Sequence, residues 1–97
     1  MSGYTIWKAI LAPTGIQDIE VPEGAELLTA RDQLEQICVW FKCDPSKPPS
    51  KRCIAICGTG HPAPEDARYV GTGFLHGGQL VLHVFESVPD LVGEVPK

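Results

Sequence analysis

The stretch Arg68-Tyr-Val-Gly-Thr-Gly-Phe-Leu-His-Gly-Gly-Gln-Leu-Val-Leu-His-Val-Phe-Glu86 constrains this chain more than any other. Gly77-Gly78 tolerates positive φ at both central positions of a two-residue loop, which is what a primed hairpin turn demands. Reversing the chain there sets His76 opposite Gln79, Leu75 opposite Leu80, Phe74 opposite Val81 and Thr72 opposite His83. One face then carries Val70, Phe74, Val81 and Phe85, and the other Leu75, Leu80, Leu82 and Val84. Two apolar faces place such a ribbon inside a β-domain and not at its rim.

The rest of the chain fits short strands joined by turns. Nine prolines and ten glycines in 97 residues disfavour a few long helices. Tyr4–Leu11 reads as a strand with Tyr4, Ile6, Lys8 and Ile10 on one side and Trp7, Ala9 and Leu11 on the other. Ile16–Val21 alternates Ile16, Asp18 and Glu20 against Gln17, Ile19 and Val21, the pattern of a half-buried strand. Ile37–Cys43 and Lys51–Cys57 are two further strands, and Gly58–Pro64 is a loop, because its glycines and prolines break a central strand. Glu23–Phe41 is ambiguous. Leu27, Leu28, Arg31, Leu34, Ile37, Cys38 and Phe41 recur at helical spacing, while strand Ala25–Arg31, a turn at Asp32–Glu35 and strand Gln36–Cys43 fit equally well.

At this length one domain spans residues 1–97, with an ordered core over about 4–88 and a tail over 89–97. A net charge of −4 argues against a general grip on nucleic acid or on an anionic membrane. With neither a basic, apolar leader nor a long apolar run, the expected location is cytoplasmic. The four cysteines are then expected to be reduced thiols.

Three motifs resemble those of a family of small uncharacterised proteins, encoded mainly by bacteriophages and prophages and grouped as a domain of unknown function. They are Cys57-Gly-Thr-Gly-His-Pro62, Tyr69-Val-Gly-Thr72 and Leu82-His-Val-Phe-Glu86. Val21–Leu27, and Trp40 a few residues before Asp44-Pro45, share the likeness, which extends over about Tyr4–Glu86. Relatives carry a central Asn-Gly turn where this chain has Asp32-Gln-Leu-Glu35. The resemblance implies strands across Glu23–Phe41 and a phage origin, with the infected bacterial cell as the setting. It supplies no catalytic residues. The expected fold is therefore all-β, six or seven mostly antiparallel strands in a small sandwich or partly open barrel, with an α+β fold holding a helix within 23–41 as the alternative.

Candidate chemistry is sparse. Cys53, Cys57, His61, His76 and His83 lack the two closely spaced pairs of a structural zinc site, so buried thiols are preferred and no metal or cofactor is expected. His83 reads either as a general base or as a core histidine bonded to Thr72, and the second is preferred. Cys57 with His61 is a conceivable nucleophile and base, with no third group to orient them. In Gly58-Thr-Gly-His61 the glycines either turn N–H groups toward an anion or simply supply tight-turn dihedrals. On the ligand reading Gly58, Thr59, Gly60, His61 and Arg68 are the binding residues. Gly71 and Gly73 suggest a bulky neighbour, Trp7 or Trp40. Lys47, Lys51, Arg52 and Arg68 form one small basic group, expected to be solvated.

The preferred function is a non-enzymatic phage accessory protein that inhibits a host defence system, by binding a host protein or sequestering a nucleotide signal. A small enzyme using Cys57, His61 or His83, and a minor virion or assembly component, are the alternatives. Unpaired strand edges make a homodimer an open expectation.

Overall fold

A computed structural model describes residues 3–87. The expected tail, 89–97, lies outside the described residues. Seven strands make one sheet: β1 (Thr5–Leu11), β2 (Gly15–Pro22), β3 (Glu26–Gln33), β4 (Gln36–Cys43), β5 (Pro49–Gly58), β6 (Ala67–Leu75) and β7 (Leu80–Ser87). Their order across the sheet is β1-β4-β3-β6-β7-β5-β2. Every pair is antiparallel except β3 with β6, which meet in parallel at Ala30 and Gly71. The sheet curls into a nearly closed, barrel-like form, with β1 and β2 as its two free edges. The chain is all-β. No helix forms within 23–41.

Period-two alternation explains how the strands face the core. Leu11 of β1, Ile19 and Val21 of β2, Ile37, Val39 and Phe41 of β4, Ile54 and Ile56 of β5, and Leu82 and Val84 of β7 share one buried cluster. Both halves of the curled sheet contribute to it, so each supplies the apolar surface the other covers.

The β6–β7 ribbon lies in the middle of the sheet, with Leu75↔Leu80, Phe74↔Val81 and Thr72↔His83 as the register requires. Two details differ from the expectation. The loop is wider: His76, Gly77 and Gly78 have φ of 54°, 67° and 94°, and the Gln79 N–H bonds back to the His76 carbonyl at 3.2 Å, so His76 and Gln79 leave the ladder. A register shift between Tyr69 and Gly71 leaves Val70 as a bulge residue packed against the core cluster, not on the Phe74 face.

Gly71 and Gly73 do meet close neighbours, the Ala30 backbone for Gly71 and Ile37 with the Asp32 backbone for Gly73, and not Trp7 or Trp40. A β-carbon on Gly71 would lie 2.2 Å from the Ala30 carbonyl oxygen, and one on Gly73 would lie 2.5 Å from Ile37 Cδ1 and 3.0 Å from the Asp32 nitrogen. Both glycines therefore permit the tight crossing of β6 over β3 that bends the sheet toward closure. Asp32 reinforces the crossing by accepting the Phe74 N–H at 2.8 Å.

The expected solvated basic group divides. Arg52 and Arg68 both reach Glu86, which is buried, Arg52 through Nε and Arg68 through Nη2 at 2.8 Å. Arg52 also donates from Nη1 to the Ala25 carbonyl at 2.7 Å. Glu86 faces inward opposite Ile54, so this ionic cluster seals the barrel end where β7 finishes. At that same end, the Ser46 hydroxyl and N–H bond to Asp44 Oδ1 at 2.8 and 3.0 Å and hold its carboxyl below the ordinary range. Burial pushes the adjacent Cys43 thiol up, with the Asp44 charge adding to the effect.

Candidate functional site

The Gly58–His61 segment turns the chain as it leaves β5. The His61 N–H closes the turn on the Gly58 carbonyl at 3.1 Å. Gly60 sits at φ 90°, a conformation that favours glycine. Gly58 is required for a different reason: a β-carbon there would lie 3.1 Å from His61 Cδ2, because the imidazole folds back over it. Both glycines thus have local structural duties, and they aim the two side chains between and after them in different directions.

His61 is exposed and lines a cleft of about 510 Å³, with Pro13 and Thr14 from the β1–β2 connection, Ile56 and Cys57 of β5, and Leu80 and Leu82 of β7. None of its lining residues is a lysine, arginine, aspartate or glutamate. Cys57 and His61 therefore share a pocket. The cleft is apolar with a few polar groups, the composition that suits an apolar side chain or a small uncharged group.

Thr59 points to the outer face of the sheet. Its Oγ1 lies 2.7 Å from His83 Nε2, and the other ring nitrogen, Nδ1, lies 3.1 Å from Thr72 Oγ1. Thr72 in turn lies 2.5 Å from the Tyr69 hydroxyl. A neutral imidazole has one donor and one acceptor nitrogen, so the row is ordered in one of two senses. Either Thr72 donates to His83 and His83 to Thr59, with Tyr69 donating to Thr72, or Thr59 donates to His83 and His83 to Thr72, with the Tyr69–Thr72 bond free to run in either direction. Both nitrogens of His83 are engaged either way. The pairing with Thr72 is the one expected of a structural histidine, while Thr59, expected as a binding residue, and Tyr69 were not expected beside His83, because the loop and the bulge bring them there. Cys57 sits beside this row as the register partner of His83, and its thiol is free.

Arg68 does not join the loop. It pairs in register with Glu86, whereas Gly58 pairs with Leu82. Four residues along β7 separate the two levels, roughly 13 Å at strand rise. A second cleft of about 360 Å³ opens on the outer face between β3 and β6, lined by Arg31, Tyr69, Thr72 and Phe74 among others. No cluster of three or more His, Cys, Asp or Glu side chains that could hold a metal ion occurs among the described residues. Nor is any helix among them long and apolar enough to cross a membrane.

In comparisons with known proteins, a domain of unknown function (DUF7352) matches residues 3–92. No curated protein matches, and no solved structure matches.

Proposed function

Since the chain belongs to the family defined by this domain of unknown function, DUF7352, we propose a role from the molecule's own surface: it acts by binding a protein partner, not by catalysis. The supporting observation is the apolar, charge-free lining of the cleft beside Gly58–His61. A nucleotide brings phosphate charge that lysine or arginine ordinarily meets, and neither is among the lining residues. An apolar side chain of a protein needs only what is there, with Thr14 and His61 at the rim to fix its orientation. The catalytic alternative is weaker, because His83 has both nitrogens engaged and no side chain among the described residues orients His61 toward Cys57.

In biological terms we read the domain as a phage accessory protein that inhibits a bacterial defence system by occupying a host protein within the infected cell. The acidic charge and the Gly-Thr-Gly-His-Pro and His-Val-Phe-Glu motifs support this reading. The test is capture of partners from bacterial lysate by the wild type, Thr14→Arg and His61→Ala. Thr14 and His61 are exposed, so both variants should fold. A partner held by the wild type and lost from both variants is the expected result. A partner retained by both overturns the assignment to this cleft. A thermal shift of several degrees with a cyclic nucleotide would instead favour sequestration of a nucleotide signal.

A further inference from the structure

The outer edge of β1 is the least guarded part of the sheet. Ile6, Trp7 and Ile10 are 52%, 45% and 54% exposed on this one edge strand. Proteins ordinarily protect an edge with proline, a bulge or a charge that leans over it. Thr5–Leu11 contains no proline, pairs with β4 in unbroken register from Thr5↔Cys43 to Leu11↔Ile37, and has one charged residue, Lys8. That lysine is exposed but leans back across the outer face of the sheet. Its Nζ donates to Gln33 Oε1 of β3 at 2.6 Å, two strands in from the edge. Lys42, on the same face and paired with Ile6, lies over the Tyr4 ring, 5.1 Å from its centroid. The opposite edge, β2, also exposes Ile16 but carries Asp18, Glu20 and a terminal Pro22.

We propose that β1 is a self-association strand, and that its occupant is β1 of a second copy of this chain, paired antiparallel about a two-fold axis at Trp7. Charge favours that register over the next one along. Centring the pair on Trp7 sets Ile6 of each copy opposite Lys8 of the other and Thr5 opposite Ala9. Centring it one residue on would oppose Lys8 to its own copy, and like charges directly opposite are unfavourable. At these exposures each large side chain still shows on the order of 100 Å² to solvent. With the strand edge itself, that brings each copy to roughly 600 Å², the lower end of what a specific interface needs. The product is one continuous sheet across two molecules.

The register gives the experiment. Wild type, Ile6→Lys, and Ile6→Lys combined with Lys8→Glu are compared by sedimentation over a range of concentrations. Ile6→Lys sets two lysines face to face twice over and should weaken the dimer at least about tenfold. Adding Lys8→Glu restores an attractive pair and should recover most of the loss. Ile6 is exposed, so circular dichroism should show all three folded alike. Trp7→Cys provides a second readout: it should form a disulfide-linked dimer on mild oxidation, since directly opposed strand residues have Cα atoms within disulfide reach, whereas Ala9→Cys should not. A wild type that is monomeric at high concentration overturns the proposal. So does a dimer indifferent to Ile6→Lys, which would place the contact elsewhere. Loss without rescue, or cross-linking at Ala9 in preference to Trp7, overturns the register.

Discussion

Replacing Glu86 with glutamine tests whether the ionic cluster holds the fold together or merely decorates it. The Glu86 side chain is 5% exposed, and its partners Arg52 and Arg68 are 21% and 63% exposed. Glutamine preserves the shape but can accept at one atom only, turning its amide N–H groups toward one guanidinium. Removing one member of a buried pair costs about 3–5 kcal/mol when the other charge stays buried. Here Arg68 is open to water, and an exposed pair is worth only about 0.2–1 kcal/mol, so most of the penalty falls on Arg52. Arg52 keeps its bond to the Ala25 carbonyl and some solvent contact, which reduces the expected loss to roughly 2–3 kcal/mol. In a domain of this size that lowers Tm by on the order of 10–20 °C. Urea unfolding followed by circular dichroism measures the loss, and a double-mutant cycle of Glu86→Gln with Arg52→Met apportions it. Arg68→Ala should cost under about 1 kcal/mol. A loss below about 1 kcal/mol for Glu86→Gln, or a stronger coupling of Glu86 to Arg68 than to Arg52, would refute the assignment of Arg52 as the principal partner.

Other perturbations have similarly direct expectations. Gly71→Ala forces a methyl to within 2.2 Å of the Ala30 carbonyl oxygen, so the β3–β6 crossing must give, at a cost of about 2–3 kcal/mol or more, read as a lower Tm. Exchanging Leu34-Glu35 for Asn-Gly should do the opposite. Both residues sit at positive φ, 52° and 63°, in a two-residue turn, and the exchange should raise stability by about 1–2 kcal/mol in urea unfolding. Asp44 gives a pH dependence. Because Ser46 holds its carboxyl below the ordinary range, its contribution is present above the unfolded value and lost as pH falls through the folded one. The urea midpoint of wild type should therefore exceed that of Asp44→Asn at neutral pH, and the two should converge on acidification.

How legible each element was depended on how local its cause is. The β6–β7 register could be read because Gly77-Gly78 marks the reversal and both arms are apolar. Glu23–Phe41 could not, and the reason is specific. Leu28 occupies the register shift between Leu27 and Thr29, and Leu34 occupies the turn. With those two set aside, Leu27, Ala30, Ile37, Val39 and Phe41 fall on the inner face of two strands. One bulge and one turn residue produced the helical spacing. The turn itself lacks the usual signal, since leucine and glutamate stand where glycine or asparagine is favoured. Glu86 was invisible as a structural centre because its partners lie 34 and 18 residues away. The loop glycines were legible as turn formers because φ is a local property. The cleft beside them was not, because Thr14 and Leu80 reach it only through the fold.

These causes also separate in space. The Glu86 cluster closes the end of the barrel where β7 finishes, while Gly58–His61 and its cleft lie at the end where β7 begins. The ionic cluster therefore sits at one end, and the surface proposed to meet a partner at the other, about 13 Å away along the strands. Sites at that separation with no shared contacts behave additively. Glu86→Gln should lower Tm yet leave partner affinity unchanged at a temperature where the variant is still folded, and Thr14→Arg should do the reverse. Affinity that tracks stability through both variants would mean the partner recognises the whole barrel and not the cleft.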